Sequence, residues 1–417
     1  MPIERIDTVV IGGGQAGLTM SHCLTRSGVP HVVLERRRIA ERWRSERWES
    51  LRFQFPNWAL RLPDFGYAGD EPDGFASRDE VVRFIETYAD FIQAPARTGV
   101  EVRRLRHAPD GAGFWLDTGD ATIAAENVVI ATGPYQRPAI PAGAGDLGDV
   151  VQIAANGYRN PAQLPPGGVL VVGAGASGCQ IAEELLRAGR PVVLSVGRHR
   201  RVPRRYRGRD IIWWINALGL DEKVADVSTA RQPPLLISGA NGGRTIDLRG
   251  FAAAGMVLAG GFEGARDGIV SFAPDLAAHL AAGDEAYAAF LHAADAHAVR
   301  AGLKLPDESG PADVFPVPAS VADPIERLDL AAAGITTVIW ATGYRDDFGW
   351  VDLDIFAPTA DSTLRIPVHR RGVTPVAGVY FLGLPLLHKT KSSFLSGVGE
   401  DAAYLAEQIT AREPRRP

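Results

Sequence analysis

Read as a succession of apolar and polar positions, the chain carries one pattern twice. A β-branched run (DTVVI, Asp7–Ile11) passes into a glycine turn, then an amphipathic stretch ending at Gly28, then a second apolar run (VVLE, Val32–Glu35). The same order returns as VLVV (Val169–Val172), a glycine turn, a stretch ending at Gly189 and VVLS (Val192–Ser195). Short continuous apolar runs suit strands buried on both faces, and the amphipathic stretches between them suit helices. Each copy therefore predicts a βαβ unit with parallel strands.

The remaining pattern supplies the other elements. RDEVVRFIETYADFI (Arg78–Ile92) predicts an amphipathic helix, with Val82, Ile85, Tyr88 and Ala89 on one face. VEVRRLRH, GFWLDT and NVVIATG read as strands of a small sheet, and the proline-rich PYQRPAIP then leaves the first domain. PDLAAHLAAGDEAYAAFLHAADAHAVRAGL reads as helix. TVIWATG (Thr337–Gly343) mirrors NVVIATG (Asn127–Gly133), and small residues at such ends permit close backbone approach. GVYFLG predicts a last strand and GVGEDAAYLAEQI a last helix; the tail from Ala411 reads as disordered. This makes an α/β chain with a discontinuous first domain, 1–160 and 326–417, and a second, 161–325, inserted into it.

The two turns read G-x-G-x-x-G: Gly12, Gly14 and Gly17 in IGGGQAG, and Gly173, Gly175 and Gly178 in VGAGASG. The first glycine permits the tight turn, the second lets backbone approach a pyrophosphate, and the third lets helix pack on strand. Gln15, Ala16 and Ser177 lie on the helix starts, where free N–H groups and the positive dipole end face phosphates. A lone match of this kind is weak. Two complete units imply two dinucleotides, and hence redox chemistry.

The ends of the second strands assign the ligands. Glu35, followed by Arg36, can accept hydrogen bonds from a ribose diol, which suits the adenosine end of FAD or NAD, and the first site is read as FAD; the competing reading is a solvated strand-end acid. At the matching place stands Ser195, with Arg198 just beyond and a run of arginines after it. No acid is there to repel a 2′-phosphate and guanidinium can clamp it, which suits NADPH. The run RHRRVPRRYRGR also reads as a solvated loop or a polyanion patch.

Composition narrows the class. At 417 residues the chain is long enough for two domains, and 46% hydrophobic and 22% charged residues are ordinary for a globular protein. A net charge of −5 argues against general nucleic-acid binding, and no apolar run has membrane-spanning length. The N-terminus lacks the order of a signal peptide. Cys23 and Cys179 are the two cysteines, neither in a C-x-x-C, so they read as core thiols in a reducing, cytoplasmic setting, and a paired redox dithiol is excluded. His279, His292 and His297 lack partners at metal spacing, so no metal is expected.

The glycine pair, AERWRSERWESLR and the WATGY block resemble class B flavoprotein monooxygenases: flavin-containing monooxygenases, YUCCA-type indole-pyruvate enzymes, N-hydroxylating enzymes and bacterial flavoproteins labelled as cation-transport-linked. The likeness spans nearly the whole chain. It implies two Rossmann-like, glutathione-reductase-like FAD/NAD(P)-binding domains. It places Trp43 and Arg44 along the flavin, and Thr132 and Gly133 with the FAD site. Thr342 and Gly343 fall in the linker motif, and Gln54 and Asn57 at the flavin edge as candidate catalytic amides. Either amide reads equally as a loop cap. Hydride from NADPH and oxygen addition at flavin C4a are the chemistry implied, with a small amine, sulfide, ketone or 2-oxo acid oxygenated. Trp213, Trp214, His388 and Lys389 are candidate substrate residues; the plainer reading makes the tryptophans core and the lysines a solvated loop. The assembly is left open to a homodimer.

One departure stands out. In the fingerprint F-x-G-x-x-x-H-x-x-x-(W/Y/F), anchored on Tyr158, Gly148 replaces the phenylalanine, Val150 the glycine and Ala154 the histidine. That leaves two other readings: an NADPH–flavin electron-transfer reductase, or a flavin-binding accessory protein without turnover.

Overall fold

The computed structural model describes residues 3–224, 233–307, 315–359 and 364–412. Two sheets organise them. The larger runs, edge to edge, through Val351–Asp352, Arg104–His107, Phe114–Asp117, Thr122–Ile130, Glu4–Ile11, His31–Glu35 and Ala96–Thr98, with Val379–Phe381 also paired to Thr122–Ile130. Glu4–Ile11 is parallel to both neighbours, with Ile11 level with Leu34 on one side and Ile130 on the other. Of the three strands read as a small sheet, Thr122–Ile130 is central to this one, and Phe114–Asp117 and Arg104–His107 extend it antiparallel.

The second sheet has the order Val151–Ala154, Ile335–Trp340, Gly168–Val172, Val192–Ser195, Val257–Ala259, all parallel. Val172 is level with Ser195 and with Trp340, as Ile11 is with Leu34 and Ile130. Both sheets bury the VVI, VLVV and TVIW segments of their central strands, which is why these read as unbroken apolar runs.

The second sheet reaches beyond 161–325 in both directions. TVIW is apolar on both faces and can be buried only as a central strand, so it sits between Gly168–Val172 and Val151–Ala154. The chain passes between the sheets along a two-stranded antiparallel ribbon, Arg137–Pro138 against Tyr344–Arg345. Ala139 N–H donates to Gly343 O at 2.9 Å beside it.

The predicted helices are present as Gln15–Arg26, Arg78–Phe91, Ala176–Arg187, Leu276–Arg300 and Val398–Ala411. Arg78–Phe91 starts with a capping box, Ser77 with Glu80, and buries Val82, Ile85 and Tyr88 as expected. The tail past Arg412 lies outside the described residues. Among those residues no helix is long and apolar enough to cross a membrane.

Candidate functional site

The two glycine turns are the same object built twice. Gly12 has φ +117° and Gly173 φ +105°, conformations that favour glycine. A Cβ on Gly12 would stand 2.6 Å from Ala131 O, and one on Gly173 2.7 Å from Ala341 O. A Cβ on Gly17 or Gly178 would stand 1.8 Å from the carbonyl of Gly12 or Gly173, so each helix rests directly on its own turn. At Gly14 a Cβ would meet nothing within 4 Å, and at Gly175 only Pro234 at 3.7 Å. Those two face open space. Both helices begin there without a side-chain cap. Uncapped N–H groups at an open helix start are a fitting seat for a pyrophosphate.

The mirrored Ala-Thr-Gly segments complete each turn. Ala131 N–H donates to Ile11 O and Ala341 N–H to Val172 O, both at 2.9 Å. Each returns its carbonyl to the glycine that needs room. Thr342 Oγ1 donates to Ala139 O at 2.7 Å, and the Gln136 amide donates to Thr132 Oγ1 at 3.0 Å and Gly133 O at 2.8 Å.

Both turns open on one cleft of about 990 Å³ between the sheets. Gly12, Gly14, Gln15, Ala16, Glu35, Arg36, Trp43, Thr132 and Gly133 line it from the first side. Gly173, Gly175, Ser177, Arg198, Thr342 and Gly343 line it from the second, with Gln54 between. The Glu35 carboxylate is held in place by Gly13 N–H at 2.7 Å and Arg37 N–H at 2.9 Å, each to a different oxygen. Each oxygen keeps a lone pair for a ligand in the cleft.

Several residues that the sequence singles out for the site are elsewhere, and the structure gives the reason. Ser195 is 2% exposed, and its hydroxyl donates to Gly260 O at 2.9 Å, so it does not face a phosphate. Arg198 is exposed and lines the cleft, but the arginines after it are structural. Arg201 pairs with Asp247 and Asp284, Arg204 with Asp210, and Arg207 with Asp295. Arg44 turns away to pair with Glu86. Asn57 is buried outside the cleft, its amide donating to Glu71 O at 2.9 Å.

Trp214 is fully buried against the helix Leu276–Arg300, donating its indole N–H to Tyr206 O at 2.9 Å. Trp213 packs edge-on against it at 5.0 Å. Neither reaches the cleft, because Ile211–Ala217 buries Trp214 in a separate cluster and packs the half-buried Trp213 against it. His388 and Lys389 also miss it. Lys389 Nζ lies 2.7 Å from both Glu222 and Glu400, and Lys391 pairs with the same two acids. These neighbours hold the Glu222 carboxyl below its ordinary range and raise the Lys389 ammonium, so the lysines are partnered.

Sequence reasoning missed an aromatic wall. Trp48, Phe53, Phe55, Phe394 and Leu395 line the cleft beside Gln54. Phe53 and Phe55 are 5.6 Å apart, and Phe55 meets Phe394 edge-on at 5.1 Å. The run F-Q-F was the available signal: two rings flank an amide, and all three residues line the cleft. Arg47, over Trp43 and Tyr135 at 5.7 and 5.2 Å, closes the ribbon end.

The cysteines take no part. Burial pushes the Cys23 thiol up to about 11 and raises that of the fully buried Cys179 further. Among the described residues no group of His, Cys, Asp and Glu could hold a metal ion.

Residues 9–217 match the pyridine nucleotide-disulphide oxidoreductase family. A Geobacillus kaustophilus protein described as an uncharacterized CzcO-like oxidoreductase is 32% identical over 97% of this chain and 98% of its own. The probable indole-3-pyruvate monooxygenase YUCCA1 of Arabidopsis thaliana is 32% identical over 43% of this chain and 44% of its own. A flavin-containing monooxygenase from Stenotrophomonas maltophilia has the same fold, with a TM-score of 0.59 at 22% identity over 98% of this chain and 99% of that one. The chain belongs to the pyridine nucleotide-disulphide oxidoreductase family.

Proposed function

We propose that this protein is an FAD-dependent, NADPH-consuming monooxygenase that oxygenates a small organic substrate with molecular oxygen. The observation that carries the reading is the single cleft onto which both phosphate-type turns open. Two dinucleotides sharing one cleft can exchange a hydride; in separate clefts they could not. The likeness to an indole-3-pyruvate monooxygenase and to flavin monooxygenases supports oxygen as the final acceptor.

FAD would lie along Gly12, Gly14 and Gly17 with its ribose on Glu35 and its ring toward Trp43 and Gln54. NADPH would lie along Gly173, Gly175, Ser177 and Gly178, with Arg198 at its 2′-phosphate. The NADPH-binding part is inserted into a discontinuous FAD-binding part, in a cytoplasmic protein. Bound flavin supplies hydride acceptance and oxygen activation. This chain's residues bind, orient and keep water out. The wall of Phe53, Phe55, Phe394 and Leu395 serves the last task, since wet sites divert reduced flavin to peroxide. Substrates in keeping with this site are amines, sulfides, ketones and 2-oxo acids. A homodimer would be read by light scattering.

Ala154 in place of the fingerprint histidine favours a second reading, an NADPH–flavin electron-transfer reductase. An oxygen electrode with NADPH and a panel of those four substrate classes separates the two. Oxygen uptake that rises with one class while peroxide falls supports the monooxygenase. Fast reduction of an artificial acceptor, with all oxygen recovered as peroxide, supports the reductase.

A further inference from the structure

Arg204 is 2% exposed, the one arginine among the largest fully buried side chains of the described residues. Every nitrogen of its guanidinium is used. Nε and Nη2 donate to Asp210 Oδ2 at 3.0 and 2.8 Å, and Nη1 donates to Gln54 O at 2.7 Å and Ser238 O at 3.3 Å. The plane lies over the Phe75 ring at 4.4 Å. Asp210 is itself fixed, because its other oxygen caps the helix Ile211–Ala217. A buried charge is tolerated only when paired and hydrogen-bonded, and here it is both.

The partners come from two parts of the chain. Asp210 and Ser238 follow the second glycine turn; Gln54 and Phe75 follow the first. Around the guanidinium the two parts meet without slack. A Cβ on Gly239 would stand 2.0 Å from Phe53 O, and one on Gly243 would stand 2.5 Å from the Phe75 ring. Phe53 N–H donates to Ala76 O at 2.7 Å, so the segment carrying Gln54 is also tied to the one carrying Phe75. Asp210 alone would satisfy a structural cation. What Arg204 adds is a grip on the backbone carbonyl of the amide residue between two cleft-lining phenylalanines.

We propose that Arg204 is a positioning residue: from the second glycine unit's part of the chain, it holds the backbone of Gln54 so that its amide faces the flavin. A lysine cannot replace it, because a point charge reaches the carboxylate or the carbonyl but not both in this geometry. The inference rests on the flavin reading of the cleft.

The test is a double-mutant cycle on the FAD-loaded full chain, combining Arg204→Lys with Gln54→Ala. The readouts are the visible absorption band of bound FAD and NADPH oxidation. Arg204→Lys is expected to shift the band and to lower kcat about tenfold, with KM for NADPH within about twofold of the parent. In the Gln54→Ala background the same substitution is expected to do neither. Equal effects in both backgrounds, or an unshifted band, overturn the proposal. Where Arg204→Lys does not fold, Phe75→Leu keeps the charge and its hydrogen bonds but removes the ring beneath; the same non-additivity with Gln54→Ala is expected, and additivity overturns the proposal. Failure of the parent protein to bind FAD would instead sink the flavin reading and is seen before any variant is made.

Discussion

The two glycine units are nearly superimposable in what they ask of the backbone and different in what they offer a ligand. The turn, the open second glycine, the helix resting on the turn and the Ala-Thr-Gly segment correspond one to one. The second strand ends differently. In the first unit it ends in Glu35, a carboxylate held by two backbone N–H groups and lining the cleft. In the second it ends in Ser195, sealed by its bond to Gly260 O, and the cation that lines the cleft is Arg198, three residues on. On the proposed reading, pyrophosphate binding follows from chain path, and nucleoside choice from one side chain and the loop after it.

That comparison can be broken most severely at the third glycine. Gly17→Ala would force the first helix off its turn, and FAD affinity is expected to fall on the order of 100-fold, leaving the purified protein colourless. Gly178→Ala meets the same 1.8 Å contact but should leave a yellow protein that NADPH no longer reduces. Absorbance spectra before and after anaerobic NADPH separate the two. Identical phenotypes would mean that the units do not hold different ligands.

A smaller step addresses the strand ends. Glu35→Ala is expected to weaken FAD binding about 30-fold by removing a charged acceptor. Ser195→Ala should leave NADPH affinity within about twofold while costing about 1 kcal/mol of stability, because Gly260 O loses its donor. Fluorescence titration and thermal melting read both. Arg198→Ala should raise the KM for NADPH about tenfold without changing that for NADH. Equal losses for the two nucleotides would remove the 2′-phosphate from the picture.

The weakest effect belongs to the lysines outside the cleft. Lys389→Met is expected to change turnover less than about twofold and stability by less than about 1 kcal/mol, since solvent reaches the pair and salt screens it. The sign with pH is fixed. Lys389 and Lys391 lower the Glu222 carboxyl below its ordinary value, so its contribution is present above that value and fades as pH falls through the lowered one. Melting curves from neutral to acid pH should converge for parent and variant at the acid end.

What the sequence carried was the part encoded in local pattern. IGGGQAG and VGAGASG announce turns whose geometry only glycine fits, and VVI, VLVV and TVIW announce central strands. TVIW was legible as a strand but not as a member of the second sheet, since an apolar run does not name its neighbours. The arginine run misled for a related reason. Arg201, Arg204 and Arg207 find their acids at Asp247, Asp284, Asp210 and Asp295, most of them far away in sequence. Their partners, not their spacing, make them structural. Trp213 and Trp214 were equally ambiguous until the helix Leu276–Arg300 covered them. Phe394 joins Phe53 and Phe55 from the other end of the chain, a contact no local pattern states.

The proposed function depends on one cleft holding a flavin and a phosphorylated nicotinamide in reach of each other. Anaerobic mixing of the FAD-loaded protein with NADPH asks whether it does. The yellow band should bleach, faster with NADPH than with NADH. A protein that keeps its colour with both nucleotides, or takes up no FAD at all, would refute the shared cleft.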